Sequence, residues 1–264
     1  MKSLSAYFKI PKLSYRVWKV WMRDKDVFMK TFKVNFVPPL LEPILYLLAL
    51  GFGLGAFVQQ IDGTPYIRFI APSLIAISAM FSSFYECTYG SFVRMYFQKT
   101  FDAIIATPVS LEEVIAGEIL WGATKSLINS SIVMAVVAAF GLSSSPFALL
   151  VPVFSFLAGL MFASIAMCFT AVVSNIDSFN YPAFLLITPM FLFSGTFFPL
   201  SSLPLPTQIM AELFLPLTHT VKIMRGLTLG SLDSSLLLSL AWVLATTIFF
   251  FVLSVNLMKR RLIK

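Results

Sequence analysis

No glycine loop of the form G-x-x-x-x-G-K-[ST] occurs in the chain, so nothing in it holds nucleotide phosphates by that motif. G-x-S-x-G and H-E-x-x-H are missing too, and a single histidine, His219, gives metal-based or histidine-based chemistry no second partner. No catalytic residue and no metal site are expected. The two cysteines, Cys87 and Cys168, fall inside apolar runs and read as small apolar fillers, with neither a disulfide framework nor a metal set. The first thirty residues are basic and Trp-bearing, without an apolar h-region or a small-residue cleavage site. No cleavable signal peptide is therefore expected, and insertion falls to the first apolar run. Charge is scarce, at 12% of residues.

Apolar surface is abundant. Hydrophobic residues make up 58% of the chain, 28 of them Phe, and the mean hydropathy is +0.89, more than a soluble core of this length can bury. A membrane helix needs about 20 mostly apolar residues. Six stretches qualify, near residues 34–58, 67–91, 114–141, 147–173, 179–198 and 235–257. Period-two alternation is absent, which excludes a membrane barrel and makes the spans helices. The expected architecture is an all-α polytopic membrane protein, one transmembrane domain over 1–264. In it, residues 1–33 form a cytoplasmic interfacial helix, 34–198 hold five spans, 199–234 form outer helices and 235–264 hold span six and a tail.

Lys and Arg set the orientation. They crowd the N-terminal segment (Lys2, Lys9, Lys12, Arg16, Lys19, Arg23, Lys25, Lys30, Lys33) and the closing "LMKRRLIK". Arg94 and Lys99 lie between spans two and three, whereas the loop after span one has only Arg68. Both termini and the loop after span two are therefore expected in the cytoplasm. The formal charge of +7 is accounted for by this asymmetry against anionic lipid, without a nucleic-acid partner. In "SYRVWKVWMRDKDVFMKTF", Trp18, Trp21, Phe28, Met29 and Phe32 share one helical face, as suits a helix in the membrane interface. Packing on a soluble partner is the alternative.

The loop "FDAIIATPVSLEE" carries two signals. Ser110 with Glu113 makes a capping box that starts span three, and Pro108 drives Thr107 out of the α region. The residues before it, roughly 96–106, then form a separate short helix with Phe97, Phe101, Ile104 and Ile105 as a stripe beside Gln98, Lys99 and Asp102. That stripe can pack on the span ends or seat in another protein. "GFGLGA" at 51–56 formally fits a dinucleotide fingerprint but lies inside a span with no strand before it; its Gly51 and Gly55 read as helix packing. Ionisable residues inside spans are functional candidates by default. Glu42, among Pro38, Pro39 and Pro43, and Glu86, among Phe81, Phe84, Tyr85 and Tyr89, are placed on a polar path or subunit interface. Glu118 and Lys125, two turns apart, suit snorkelling or structural pairing. Beyond span five, residues 207–214 and 217–227 are apolar, too short to span and split by Pro216. They read as re-entrant or interfacial helices.

This layout, with "FDAIIATPVSLEEVIAGEI" and "FLFSGTFFPLSSLP" in order and "LPLTHTVKIMRGLTLG" before span six, resembles the ABC type-2 exporter permeases. Among these it is similar to the NodJ-like lipo-oligosaccharide, polysaccharide and drug exporters, over essentially the whole chain. Where many relatives have Asn-Pro before the second outer helix, this chain has Leu215-Pro216 followed by Thr218 and His219. The resemblance implies that residues 96–108 are a coupling helix. Its contacts with a separate ATPase subunit would include Phe97, Lys99, Phe101, Asp102, Ile104, Ile105, Thr107 and Pro108. It also implies a homodimer with spans one and five facing across it, and an amphiphilic substrate leaving through that interface beside Glu42, Glu86, Phe193 and Phe197. Pro199, Pro204, Pro216, His219 and Arg225 would form the outer gate. ATP and Mg would be bound by the partner subunit, none by this chain, and the location would be the inner membrane. Two rivals remain at this point. An ion-coupled secondary transporter requires discontinuous spans and preferably an inverted repeat, and no convincing repeat is seen. A membrane enzyme requires a nucleophile and a base.

Overall fold

The protein is described here from a computed structural model over residues 9–61 and 63–263; Lys2, counted above among the basic residues, lies outside them. Six helices are long and apolar enough to cross a membrane: span one (Phe32–Ala56), span two (Tyr66–Phe97), span three (Leu111–Ala139), span four (Pro146–Val172), span five (Ile176–Phe193) and span six (Ser235–Leu262). The all-α polytopic expectation holds, the described β-structure being one antiparallel pairing of Gln60–Ile61 with Thr64–Pro65.

The ends of the bundle differ. A helix over Val17–Lys30 and a short helix over Thr100–Ile105 lie at one end, called the near end. Two short helices, Leu205–Phe214 and Pro216–Leu229, lie at the far end. The far-end pair matches the two apolar pieces, with Pro216 at the first position of the second helix, where its missing N–H costs nothing. That helix stops at Gly230, whose φ of 85° suits a glycine cap.

Spans two, three and four make the core, with Phe84, Ile115, Met161 and Phe162 fully buried among them. Span six packs on span four, while spans one and six leave most of their apolar surface uncovered within the chain. Gly51 packs against the Ile67 side chain of span two, so the glycine pair serves intrachain packing.

Two boundaries differ from expectation. Span two continues through Arg94 to Phe97, so Arg94 is a helix residue and not a loop residue. It contains two π-helical stretches, Glu86–Gly90 and Val93–Phe97. The short helix then starts only at Thr100, because Lys99 takes a left-handed φ of 54° and breaks the helical run. Span three starts as expected. Ser110 Oγ accepts the Glu113 N–H at 3.3 Å, and Glu113 Oε2 accepts the Ser110 N–H at 2.7 Å.

Candidate functional site

The near end holds a cluster of ionisable side chains, built from three helices distant in sequence. Arg94 of span two is its centre. Its Nη1 lies 2.7 Å from Glu86 Oε1, its Nη2 2.6 Å from Glu118 Oε2, and its Nε 2.9 Å from the same Glu118 oxygen. Lys125 Nζ holds the other Glu86 oxygen at 2.8 Å. Arg23 Nη1 donates to Asp24 Oδ1 at 3.0 Å and reaches Glu118 at 3.8 Å, and Arg94 Nε stands 3.9 Å from Asp24. Three basic side chains (Arg23, Arg94, Lys125) face three carboxyl groups (Asp24, Glu86, Glu118), and the Glu118 side chain is 0% exposed. Opposite charges and several hydrogen bonds to Glu86 and Glu118 are what permit ions at such depth, whereas Asp24 Oδ2 is buried with no partner. Glu118 and Lys125 thus do not pair with each other; each has its partner on span two.

Asp24 was not singled out from the sequence, and Arg94 only as a loop charge. Asp24 hides among the polar positions of an amphipathic segment. Yet it stands four residues from Val20 and four from Phe28, and these three form the buried face of the Val17–Lys30 helix. Trp21 anchors the same helix by donating Nε1–H to Thr124 Oγ1 at 2.8 Å, while Trp18 and Met29 stay exposed.

Burial pushes the Asp24 carboxyl up to about 8, with Glu118 adding to the rise and Arg94 and Arg23 opposing it. Its ordinary value is 3.8, so between the two values the folded chain holds a proton that the unfolded chain releases. Stability from this group is therefore present in acid and lost as pH rises through about 8. The unfolding temperature in detergent is expected to fall from pH 5.5 to 8.5, and Asp24→Asn is expected to flatten that fall. An unchanged slope in the variant would assign it to other groups.

Glu42 lies on span one, exposed within the single chain, beside a furrow of about 550 Å³ that it shares with Pro38, Tyr46, Tyr85, Glu86 and Lys125. Glu86 therefore touches both the cluster and this furrow, whereas Phe193 closes span five at the far end and Phe197 lies just beyond it. Phe197 packs edge-on to Phe191 at 4.9 Å, which in turn meets Phe81.

The short helix divides its stripe. Phe101 is fully buried and Ile104 partly so, while Asp102, Ile105, Thr107 and Pro108 are exposed. Phe97 belongs to the end of span two and is 61% exposed. The turn after the helix is strapped in place: Arg16 Nη1 donates to the Pro108 carbonyl at 2.5 Å, Ser14 Oγ to Glu113 at 2.5 Å, and Lys259 Nζ to Glu112 at 2.5 Å.

At the far end, His219 stacks on Trp242 at 4.4 Å, with Nε2 2.8 Å from the Glu212 carbonyl and Nδ1 3.2 Å from Ser239 Oγ. It ties both short helices to span six, and burial lowers its pKa. Pro199 and Pro204 precede the 3-10 turn Leu200–Ser202 and the helix Leu205–Phe214. Arg225 faces span two, over the Phe69 ring. Among the described residues no group of three or more His, Cys, Asp or Glu is placed to hold a metal.

Residues 15–229 match the family described as ABC-2 type transporter. The chain is 36% identical over 245 residues to Nodulation protein J of Sinorhizobium fredii, covering 92% of this chain and 93% of that one. It is 35% identical over 257 residues to Nodulation protein J of Bradyrhizobium diazoefficiens, 97% of both. Inner membrane transport permease YadH of Escherichia coli is 24% identical over 244 residues, 91% of this chain and 93% of that one. No solved structure matches. With six apolar helices, a strapped short helix after the second and a match over both ends of the bundle, the chain belongs to the ABC-2 type transporter family of membrane permeases.

Proposed function

We propose that this chain is the membrane subunit of an ATP-driven exporter, and that the Thr100–Ile105 helix docks on a separate ATPase subunit that binds ATP and Mg. One observation carries the reading. The helix is anchored by a fully buried Phe101 yet presents Ile105, Asp102 and the Thr107-Pro108 turn outward from a strapped base. That is the form of a knob for a partner's groove, not of a helix folded away for stability. The basic residues near this end support a cytoplasmic near face, with the protein in the inner membrane.

In this reading a second copy covers the apolar faces of spans one and five. An amphiphilic substrate, a lipid-linked saccharide, lipid or drug as the resemblance to exporter permeases implies, leaves between the copies past Glu42, Phe193 and Phe197. The far-end helices with Pro199, Pro204, Pro216 and His219 close the exit. Both Glu86 oxygens are engaged by Arg94 and Lys125, which leaves it poorly suited to carry a coupling proton.

The test is co-purification from the native host in mild detergent. Wild-type chain is expected to bring an ATPase in stoichiometric amount. Ile105→Asp is expected to weaken that association at least about 30-fold, the loss typical of a central interface residue, with the chain's own unfolding temperature lowered only slightly, since the fully buried Phe101 anchors the helix. Full association and unaltered ATP hydrolysis in the variant would remove the docking role. Transport in vesicles without ATP would remove the exporter reading.

A further inference from the structure

Arg225, on the second far-end helix, sits with its guanidinium 3.9 Å from the centre of the Phe69 ring. Its Nη2 donates to Ser73 Oγ at 3.0 Å, to the Gly195 carbonyl at 3.0 Å and to the Phe69 carbonyl at 3.4 Å. All three acceptors are neutral. Among the described residues no carboxylate pairs with it, and Glu212 of the neighbouring helix is paired with Lys222 at 2.7 Å. The Arg225 Nε is buried with no acceptor. Burial without a counter-charge pushes the guanidinium down to about 10, so it remains a cation at neutral pH. In the near-end cluster every cation lies within 4 Å of a glutamate; among the described residues Arg225 has no such partner.

Beside it lies a cavity of about 310 Å³, lined by Thr64, Phe69, Ser194, Gly195, Lys222 and Arg225 among others. Ser194 is 1% exposed and its Oγ has no partner. Two buried polar atoms without partners, Arg225 Nε and Ser194 Oγ, therefore belong to side chains that line one cavity. Buried polar groups of native proteins are nearly always satisfied, so a pair of orphans around a common space indicates what that space receives. Gly195 shapes the wall. Its φ of 72° turns the chain after span five, and a Cβ there would stand 3.2 Å from Leu200 Cγ.

We propose that this cavity binds the phosphate group of an amphiphile, with Arg225 supplying the counter-charge and Ser194 Oγ a second donor. A guanidinium with unused N–H groups beside a hydroxyl suits an oxyanion with several acceptor oxygens. The apolar part of the lining, Phe69 and Leu200, and the position at the end of the apolar spans suit a headgroup whose tails remain in the bilayer. Inorganic phosphate shares the chemistry but lacks the tails. The proposal needs no ATPase, and its test uses none.

Purified chain in a neutral detergent is titrated with phosphatidylglycerol, with the matching diacylglycerol and with inorganic phosphate, and binding is read by native mass spectrometry and thermal shift. Wild type is expected to bind phosphatidylglycerol about tenfold more tightly than Arg225→Gln, with Ser194→Ala in between and diacylglycerol indifferent to either change. Competition by inorganic phosphate would support recognition of the phosphate itself. Binding of inorganic phosphate with phosphatidylglycerol inert would overturn the amphiphile as its source. Equal phosphatidylglycerol binding by wild type and both variants would overturn the site. If Arg225→Gln fails to fold, Ser194→Ala, whose Oγ bonds nothing in the fold, decides together with Arg225→Lys.

Discussion

Arg94→Met is expected to yield little or no folded protein, a loss of about 3–5 kcal/mol, the usual cost of removing one partner from a buried ion pair. The side chain bridges Glu86 at 2.7 Å and Glu118 at 2.6 Å and stands 3.9 Å from Asp24, so its loss leaves two buried carboxylates each short of a close cation. Glu118 would keep only the Ser91 hydroxyl at 2.6 Å and Arg23 at 3.8 Å. Against a typical total stability of about 5–15 kcal/mol, that is a large share. Arg94→Lys is expected to rescue only in part, since a single ammonium cannot reproduce the planar fork that holds two carboxylates at once. The double change Arg94→Met with Glu118→Gln removes the carboxylate that Arg94 had held and is expected to recover part of the loss. Yield and unfolding temperature in detergent decide; an Arg94→Met chain as stable as wild type would show that the cluster adds little to the fold.

Gly159→Val is expected to be nearly as damaging, through shape and not charge. A Cβ at Gly159 would stand 2.5 Å from Ser126 Cβ and 2.9 Å from Ala123 Cα. The first contact could be relieved by trimming a side chain. The second is backbone, so relief requires spans three and four to separate and the Ser126 hydroxyl to leave the Ser155 carbonyl, now at 2.9 Å. Close approach at small residues is the main source of helix pairing where lipid removes the hydrophobic drive. Overpacking of this kind costs about 1–3 kcal/mol or more. Ser126→Gly added to Gly159→Val is expected to restore only a minor part of the unfolding temperature. Full restoration would move the strain from the backbone to the Ser126 side chain.

What could be read from the sequence follows the range of the interactions involved. The spans are legible because about 20 apolar residues in a row is a local property. The start of span three is legible because Ser110 and Glu113 satisfy each other three residues apart, and the split at Pro216 because proline acts on its own turn. Span two extends six residues beyond the expected end at 91, since Arg94 is neutralised only by residues 24, 86 and 118. No window along the chain contains that set. The short helix begins at Thr100, four residues later than position 96, for a different reason: the left-handed turn at Lys99 is a conformation lysine does not advertise. Arg225 was legible as a far-end residue, but its lack of a counter-charge is a property of the folded neighbourhood alone.

The two wide turns in span two bear on how its relatives are to be aligned. A π-helical turn is an α-helical turn with one residue added, and each α-helical residue turns the helix by about 100°. Where a relative lacks the wide turn at 86–90 or at 93–97, the structurally correct alignment places a one-residue gap within those positions. An ungapped alignment would then compare Arg94 with a residue on a different side of the helix. Identity scored through this stretch would be misleading even where the salt bridges are the same.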